Sequence, residues 1–178
     1  MKFDTLKLGD TEVIRGLFTD TFTNSEGPSE GALIGNLAQE LMTETEARDI
    51  YGFVAVEAEK TIGCIFFTRL TFENDINAFL LAPVTIHTDY QGRGIGQKLI
   101  DFGIKKLKAN GVELVLTYGD PRFYSKVGFK PVSEATVNPP LQLSLPEGWL
   151  GQSLAGGSVK PVTGRPACVK AFNKPEYW

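Results

Sequence analysis

The chain has one histidine and two cysteines among its 178 residues. That sparse set supplies no His/Cys cluster at metal-ligand spacing and no disulfide framework. Cys64 lies inside the apolar run TIGCIFF and reads as a buried free thiol. Basic charge is not in surplus: 18 Lys and Arg stand against 21 Asp and Glu, a formal net charge of -3. No basic run marks a nucleic-acid surface. No apolar stretch approaches the length of about 18 residues that a membrane helix requires. The start, MKFDTLKLGD, has no apolar core of signal-peptide length. These absences point to a cytoplasmic protein with no metal, no nucleic-acid partner and no membrane span.

What is present is patterned for one compact domain. The composition is 42% hydrophobic, and neither an internal repeat nor a clean linker divides residues 1–178. Val13, Ile14, Leu17, Phe18 and Phe22 recur at helical spacing behind Asp10, a candidate cap. A polar stretch from Thr23 to Gly31 predicts a loop. Leu33, Leu37 and Leu41 then mark a second helix, weakened by two internal glycines. Three strands follow in YGFVAVEA, KTIGCIFFTRLTF and AFLLAPVTI. Pro83 falls inside the third and denies it a ladder hydrogen bond, so a bulge or split is expected there. A long amphipathic helix is predicted from Gly94 to Asn110, with Ile95, Leu99, Phe102 and Leu107 inward. VELVLTYG predicts a strand, and Asp120 with Pro121 opens a short helix. Further short strands are expected at LQLSL and SVKPV. The order of elements implies an α/β (α+β) fold. Its central sheet is mixed and mostly antiparallel, because adjacent hairpins join the strands, and helices cover both faces.

The densest local signal is YQGRGIGQKLI, from Tyr90 to Ile100. Gly92, Gly94 and Gly96 alternate directly ahead of the long helix. A dinucleotide fingerprint would need glycine where Gln97 stands, and no Gly-Lys-Ser/Thr completes a phosphate loop of the nucleotide-hydrolase kind. Glycines at a helix start still leave unpaired N–H groups open to an anion, and Arg93 and Gln97 add donors. A tight turn with no ligand is the other reading of the spacing.

The same stretch resembles the acyl-CoA-binding motif of the GCN5-related N-acetyltransferases (GNAT): Gln or Arg, two residues, Gly, any residue, Gly or Ala. Gln91, Gly94 and Gly96 occupy those points. RFYSKVGF resembles the superfamily's later Tyr-x-x-x-Gly-Phe signature through Tyr124, Gly128 and Phe129, and both motifs together resemble its bacterial YhbS-like branch. The likeness is strong from about Phe53 to Val132. The core motifs thus span 53–132, and 133–178 reads as an extension of short strands. The resemblance implies a GNAT-like sheet splayed at an acyl-CoA cleft and an enzyme moving acetyl from acetyl-CoA to a primary amine. Attack would be direct, in a ternary complex. Val84, Thr85 and Ile86 would pair with pantetheine amides. Gln91, Gly92, Arg93, Gly94, Ile95, Gly96 and Gln97 would hold the pyrophosphate. Tyr124 would face the sulfur as general acid. Arg122 or Lys126 would be candidates for a CoA phosphate. Relatives place a glutamate base on the strand that here carries Leu116 and Thr117, and Glu113 lies too near its start. A non-catalytic acyl-CoA-binding module is therefore the alternative. Asn24, Glu26 and Glu30 are candidates to select the amine acceptor, a small molecule or peptide, with Tyr118 and Trp149 as walls. The assembly would be a monomer or homodimer.

Overall fold

The computed structural model describes residues 1–7 and 9–178. Seven strands form one sheet: β1 (Lys2–Thr5), β2 (Ile50–Glu57), β3 (Lys60–Leu70), β4 (Ala78–Ile86), β5 (Leu114–Tyr118), β6 (Lys130–Pro131) and β7 (Trp149–Ser153). Their order in the sheet is β1-β2-β3-β4-β5-β7-β6. β4 and β5 pair in parallel; β1–β2, β5–β7 and β6–β7 are antiparallel. The helices are α1 (Thr11–Glu26), α2 (Pro28–Glu44), α3 (Ile95–Ala109) and the single turn α4 (Pro121–Tyr124). The chain separates into two compact units, Met1–Phe66 with Pro83–Gly103, and Phe67–Ala82 with Ile104–Trp178.

In the first unit, β2 and β3 form a hairpin whose two turn residues, Ala58 and Glu59, both take positive φ (47° and 64°). That geometry matches the right-handed twist of the strands, at a conformational cost for non-glycine residues. Phe53 and Phe102 meet edge to face at 5.7 Å, and Phe18 stacks on Phe66 at 5.9 Å. Phe53 and Val54 are both buried, so β2 presents an apolar side chain to each face rather than one.

The polar stretch expected to be a loop is mostly helix. α1 continues to Glu26, Gly27 alone intervenes with φ 100°, and Pro28 begins α2. A proline at the first helical position loses no intrahelical bond, so the direction changes in one residue. The two glycines that weaken α2 as a sequence are explained by packing. A Cβ on Gly31 would collide with Thr23 and lie 2.7 Å from the Thr19 carbonyl oxygen of α1; one on Gly35 would collide with Thr19.

In the second unit, β4 registers with β5 from Ala78–Leu114 to Leu81–Thr117. β4 itself runs unbroken through Pro83 to Ile86. The expected bulge or split therefore takes another form: the registered pairing ends at Leu81, ahead of the residue that has no N–H to give. The Glu113 carboxylate accepts from Asn77 N at 2.9 Å, and Arg69 donates to Asn77 Oδ1 at 3.0 Å, fixing the start of β4. LQLSL is not a strand, since Pro139 and Pro140 precede it and Pro146 follows. SVKPV contributes only the bridge Val137–Val162. The outer partner of β5 is instead β7, which a sequence reading passes over because Gly148 precedes it and Gly151 interrupts it. Trp149 is fully buried, its indole donating to Val137 O at 2.9 Å. Trp178 anchors the last segment by donating to Phe172 O at 2.8 Å.

The helix contact makes two substitutions of opposite sign. Gly31→Ala gains about 1 kcal/mol of helix propensity but forces a methyl onto backbone, an overpacking worth about 1–3 kcal/mol. Gly16→Ala, where a Cβ would meet nothing within 4 Å, takes the propensity gain alone. In thermal melts Gly16→Ala should raise Tm and Gly31→Ala lower it, each by a few degrees. A rise for both would mean that the helices part without penalty.

Candidate functional site

The first unit carries most of the residues singled out by sequence. Val84 and Ile86 are half-buried on β4; Thr85 between them is 3% exposed, and its hydroxyl has no hydrogen-bond partner among the described residues. A short 3-10 turn, Thr88–Tyr90, leads from β4 to the glycine run. His87 braces it. Its N–H donates to Ile62 O at 2.7 Å, and its Nδ1 accepts from Asp89 N at 3.3 Å. Asn24 Nδ2, on α1, donates to Thr88 Oγ1 at 3.1 Å. Gln91 Nε2 donates to Ile86 O at 2.9 Å. The turn is thus tied to three segments before the glycines begin.

Gly92 and Gly94 adopt φ of 75° and 72°, and a Cβ at either would meet no atom within 4 Å. Glycine is required there by backbone angle, and the space beyond is open. The first intrahelical bond of α3 runs from Lys98 N to Gly94 O at 3.1 Å. Helical geometry therefore gives the N–H groups of Ile95, Gly96 and Gln97 no acceptor in the helix. Their partial positive charge, with that of the aligned peptides behind them, suits an anion. Ile95 and Gly96 are buried and Gln97 is intermediate, so the helix start is anchored while the glycines before it stay exposed. Arg93 is turned back: Nη2 donates to Asp89 O at 3.0 Å and its guanidinium lies 5.3 Å from the Tyr90 ring centroid. Both contacts stiffen the loop.

The second unit holds Tyr124. The ring contacts Phe123 and Phe129 edge to face at 5.0 and 5.8 Å, and its Cε2 would lie 2.7 Å from a Cβ on Gly119. Burial pushes the phenol up to about 12, and the Thr117 hydroxyl beside it offsets part of that rise. Thr117 is itself fully buried and donates to Leu81 O at 2.8 Å. The phenol therefore carries its proton throughout the neutral range. It can give a hydrogen bond to a developing negative charge and cannot serve as a base there. Phe129 is core, 1% exposed. Arg122 is committed to Asp120, with Nε and Nη2 at 3.2 Å from its carboxylate oxygens.

The residues expected to choose an acceptor divide. Asn24, Glu26 and Glu30 sit in α1 and α2, and Asn24 is occupied by Thr88. Burial, with Glu26 nearby, raises the Glu30 carboxyl above its ordinary range. Trp149 is fully buried and walls nothing open. Tyr118 does line a cavity of about 630 Å³, together with Trp178 and the 144–148 segment. That cavity was not legible beforehand, since it joins segments separated by more than 25 residues. A second cavity of about 600 Å³ lies along β6 and β7, beside Lys130, Ser133 and Gln152.

Comparison with known proteins bears directly on these residues. The Acetyltransferase (GNAT) domain family model matches residues 48–131, the stretch containing the glycine run and Tyr124. The chain is 31% identical over 135 residues to the uncharacterized N-acetyltransferase YjhQ of Escherichia coli, covering 72% of each protein. To the uncharacterized N-acetyltransferase YhbS of Escherichia coli it is 32% identical over 81 residues, 44% of this chain and 48% of that one. The fold is that of the GNAT N-acetyltransferase YhbS crystallised with CoA (TM-score 0.84, 23% identity, 97% of this chain and 92% of that one). It is also that of a GNAT acetyltransferase from Brucella melitensis in complex with acetyl-CoA (TM-score 0.75, 21% identity, 97% of each). The fold, the order of the two motifs and the extent of the YjhQ match establish that the chain belongs to the GNAT family of acetyltransferases, in the group of YjhQ and YhbS.

Proposed function

We propose that the protein is an acetyl-CoA-dependent N-acetyltransferase in which a primary amine attacks the thioester directly, within a ternary complex. The observation that carries this reading is the open glycine run at the α3 start, where Gly92 and Gly94 hold positive-φ backbone beside open space and the helix offers its first N–H groups no acceptor of its own. The pyrophosphate of acetyl-CoA would lie on Gln91, Gly92, Arg93, Gly94, Ile95, Gly96 and Gln97. Val84, Thr85 and Ile86 would meet the pantetheine amides. Because Ile86 O already accepts from the Gln91 amide, pantetheine would displace that side chain, freeing Gln91 for the anion. The whole of 1–178 would act as one acetyltransferase domain, with its motifs in 53–132.

Transfer forms a C–N bond between the amine and the acetyl carbon and breaks the C–S bond of the thioester. Holding the amine near that carbon supplies a large part of the rate. Tyr124 would act at the departing sulfur. A phenol near 12 beside a thiol of about 8.5 favours a strong hydrogen bond to the thiolate over complete proton transfer. No carboxylate base stands on the middle of β5, where Leu116 and Thr117 are buried, and Glu113 is bound to Asn77 N. The amine would lose its proton to water or arrive neutral. That same feature supports a second reading, an acyl-CoA-binding module without transfer.

Three measurements test the proposal. Gly94→Glu, which adds a carboxylate in a disfavoured backbone region, should weaken CoA binding more than tenfold in calorimetry with the protein still folded; unchanged affinity would remove the phosphate contact. Tyr124→Phe should lower kcat about a hundredfold and leave CoA affinity within threefold; equal turnover would dismiss Tyr124. With no enzymic base, kcat/KM for an amine of ordinary pKa near 10.4 should climb about tenfold per pH unit from 7 to 9, and Tyr124 should cause no alkaline fall below pH 10. A plateau already reached at pH 7 would reveal a base.

A further inference from the structure

The cavity of about 630 Å³ in the second unit has the chemistry of a cation site. Two of its hydroxyl groups have their protons committed to neighbouring acceptors. The Ser144 hydroxyl donates to Trp178 O at 2.7 Å, which uses its single proton. The Tyr118 hydroxyl, 3.1 Å from Ser144 Oγ, must therefore be the donor of that pair. Tyr118 Oη in turn accepts from Leu145 N at 2.7 Å. The chain of bonds commits the hydroxyl protons of Ser144 and Tyr118. Arg122 is folded onto Asp120 in the same lining. Glu147 and Glu176, also in the lining, are exposed and have no ion-pair partner among the described residues.

The apolar surface is equally specific. The Tyr118 and Trp178 rings stack at 6.1 Å with 18° between their planes. Leu145, 61% exposed, is held over the cavity by the bond from its own N–H to Tyr118. Glu147 and Glu176, two carboxylates without an ion-pair partner among the described residues, stand beside aromatic rings and an exposed leucine, a combination that suits an ammonium group on an apolar or aromatic body. Gly119, which lines the cavity, is the residue against which the Tyr124 ring packs, so the cavity and the proposed acid share one wall.

We infer that this cavity is the acceptor site, and that the acceptor is a cationic primary amine with an apolar or aromatic body, held by Glu147 and Glu176 against Tyr118 and Trp178. The inference rests on the N-acetyltransferase reading for its transfer step, but its binding step is independent of it.

The test uses 2-phenylethylammonium as probe and its trimethylated quaternary analogue, which binds but has no proton to lose and no site to acetylate. In the full chain without acetyl-CoA, both should quench tryptophan fluorescence saturably, since Trp178 lines the cavity; 2-phenylethanol, the uncharged counterpart, should bind at least tenfold more weakly. Glu147→Gln with Glu176→Gln should raise Kd for both ammonium probes at least fivefold and raise KM for 2-phenylethylamine in parallel. It should leave CoA affinity unchanged. Leu145→Ala, a surface change that does not threaten folding, should weaken both probes about threefold. Equal binding of the alcohol and the ammonium, or Kd values unmoved by the double substitution, would overturn the inference. Loss of CoA binding or of transfer with ammonium binding intact would instead count against the acetyltransferase reading and leave the cation site standing.

Discussion

The start of α3 is the constraint on which the rest depends. A helix cannot supply acceptors to its own first N–H groups. Gly92 and Gly94 keep the approach clear because their backbone angles suit only glycine and nothing stands in the space a side chain would fill. Donors that the helix leaves unpaired need a rigid mounting. Burial of Ile95 and Leu99 supplies it from the helix side. From the other side, the bonds Gln91–Ile86, Asn24–Thr88 and His87–Ile62 hold the preceding turn. A side chain that looks like a ligand in the sequence, Arg93, is one of these braces.

The second unit works by proton direction rather than by backbone exposure. One buried hydroxyl, Thr117, gives its proton to Leu81 O and sits beside the Tyr124 phenol. In the cavity, the bond from Ser144 to Trp178 O dictates that Tyr118 donates to Ser144. Hydroxyls have one proton each, so a single backbone acceptor at the end of such a chain decides the direction of both bonds.

The elements with strong periodicity were legible. α3 occupies Ile95–Ala109 against an expectation of Gly94–Asn110, and β2, β3, β4 and β5 lie where their apolar runs stand. The GNAT membership was legible from Gln91, Gly94, Gly96, Tyr124, Gly128 and Phe129, because backbone turns of positive φ leave glycines at set intervals. The misreadings came where composition and geometry diverge. Thr23–Glu26 is polar yet helical, because the Gly27–Pro28 pair turns the chain in one step. β7 contains glycine yet pairs with β5, because the backbone supplies the bonds and Trp149 the packing. β1 is short and mixed in polarity, and only its register with β2 makes it a strand.

The amino-acid sequence alone determined which backbone must be glycine, which helix is amphipathic and which family the chain joins, since these are properties of neighbouring residues. Only tertiary structure decided that Arg93 and Asn24 act as braces, that Gly31 faces the Thr19 carbonyl, and that Tyr118, Leu145 and Trp178 share a cavity. Those outcomes depend on distances between segments far apart in the chain. A local pattern sets what each segment can do; packing sets which atoms remain unpaired once every other donor has found its acceptor.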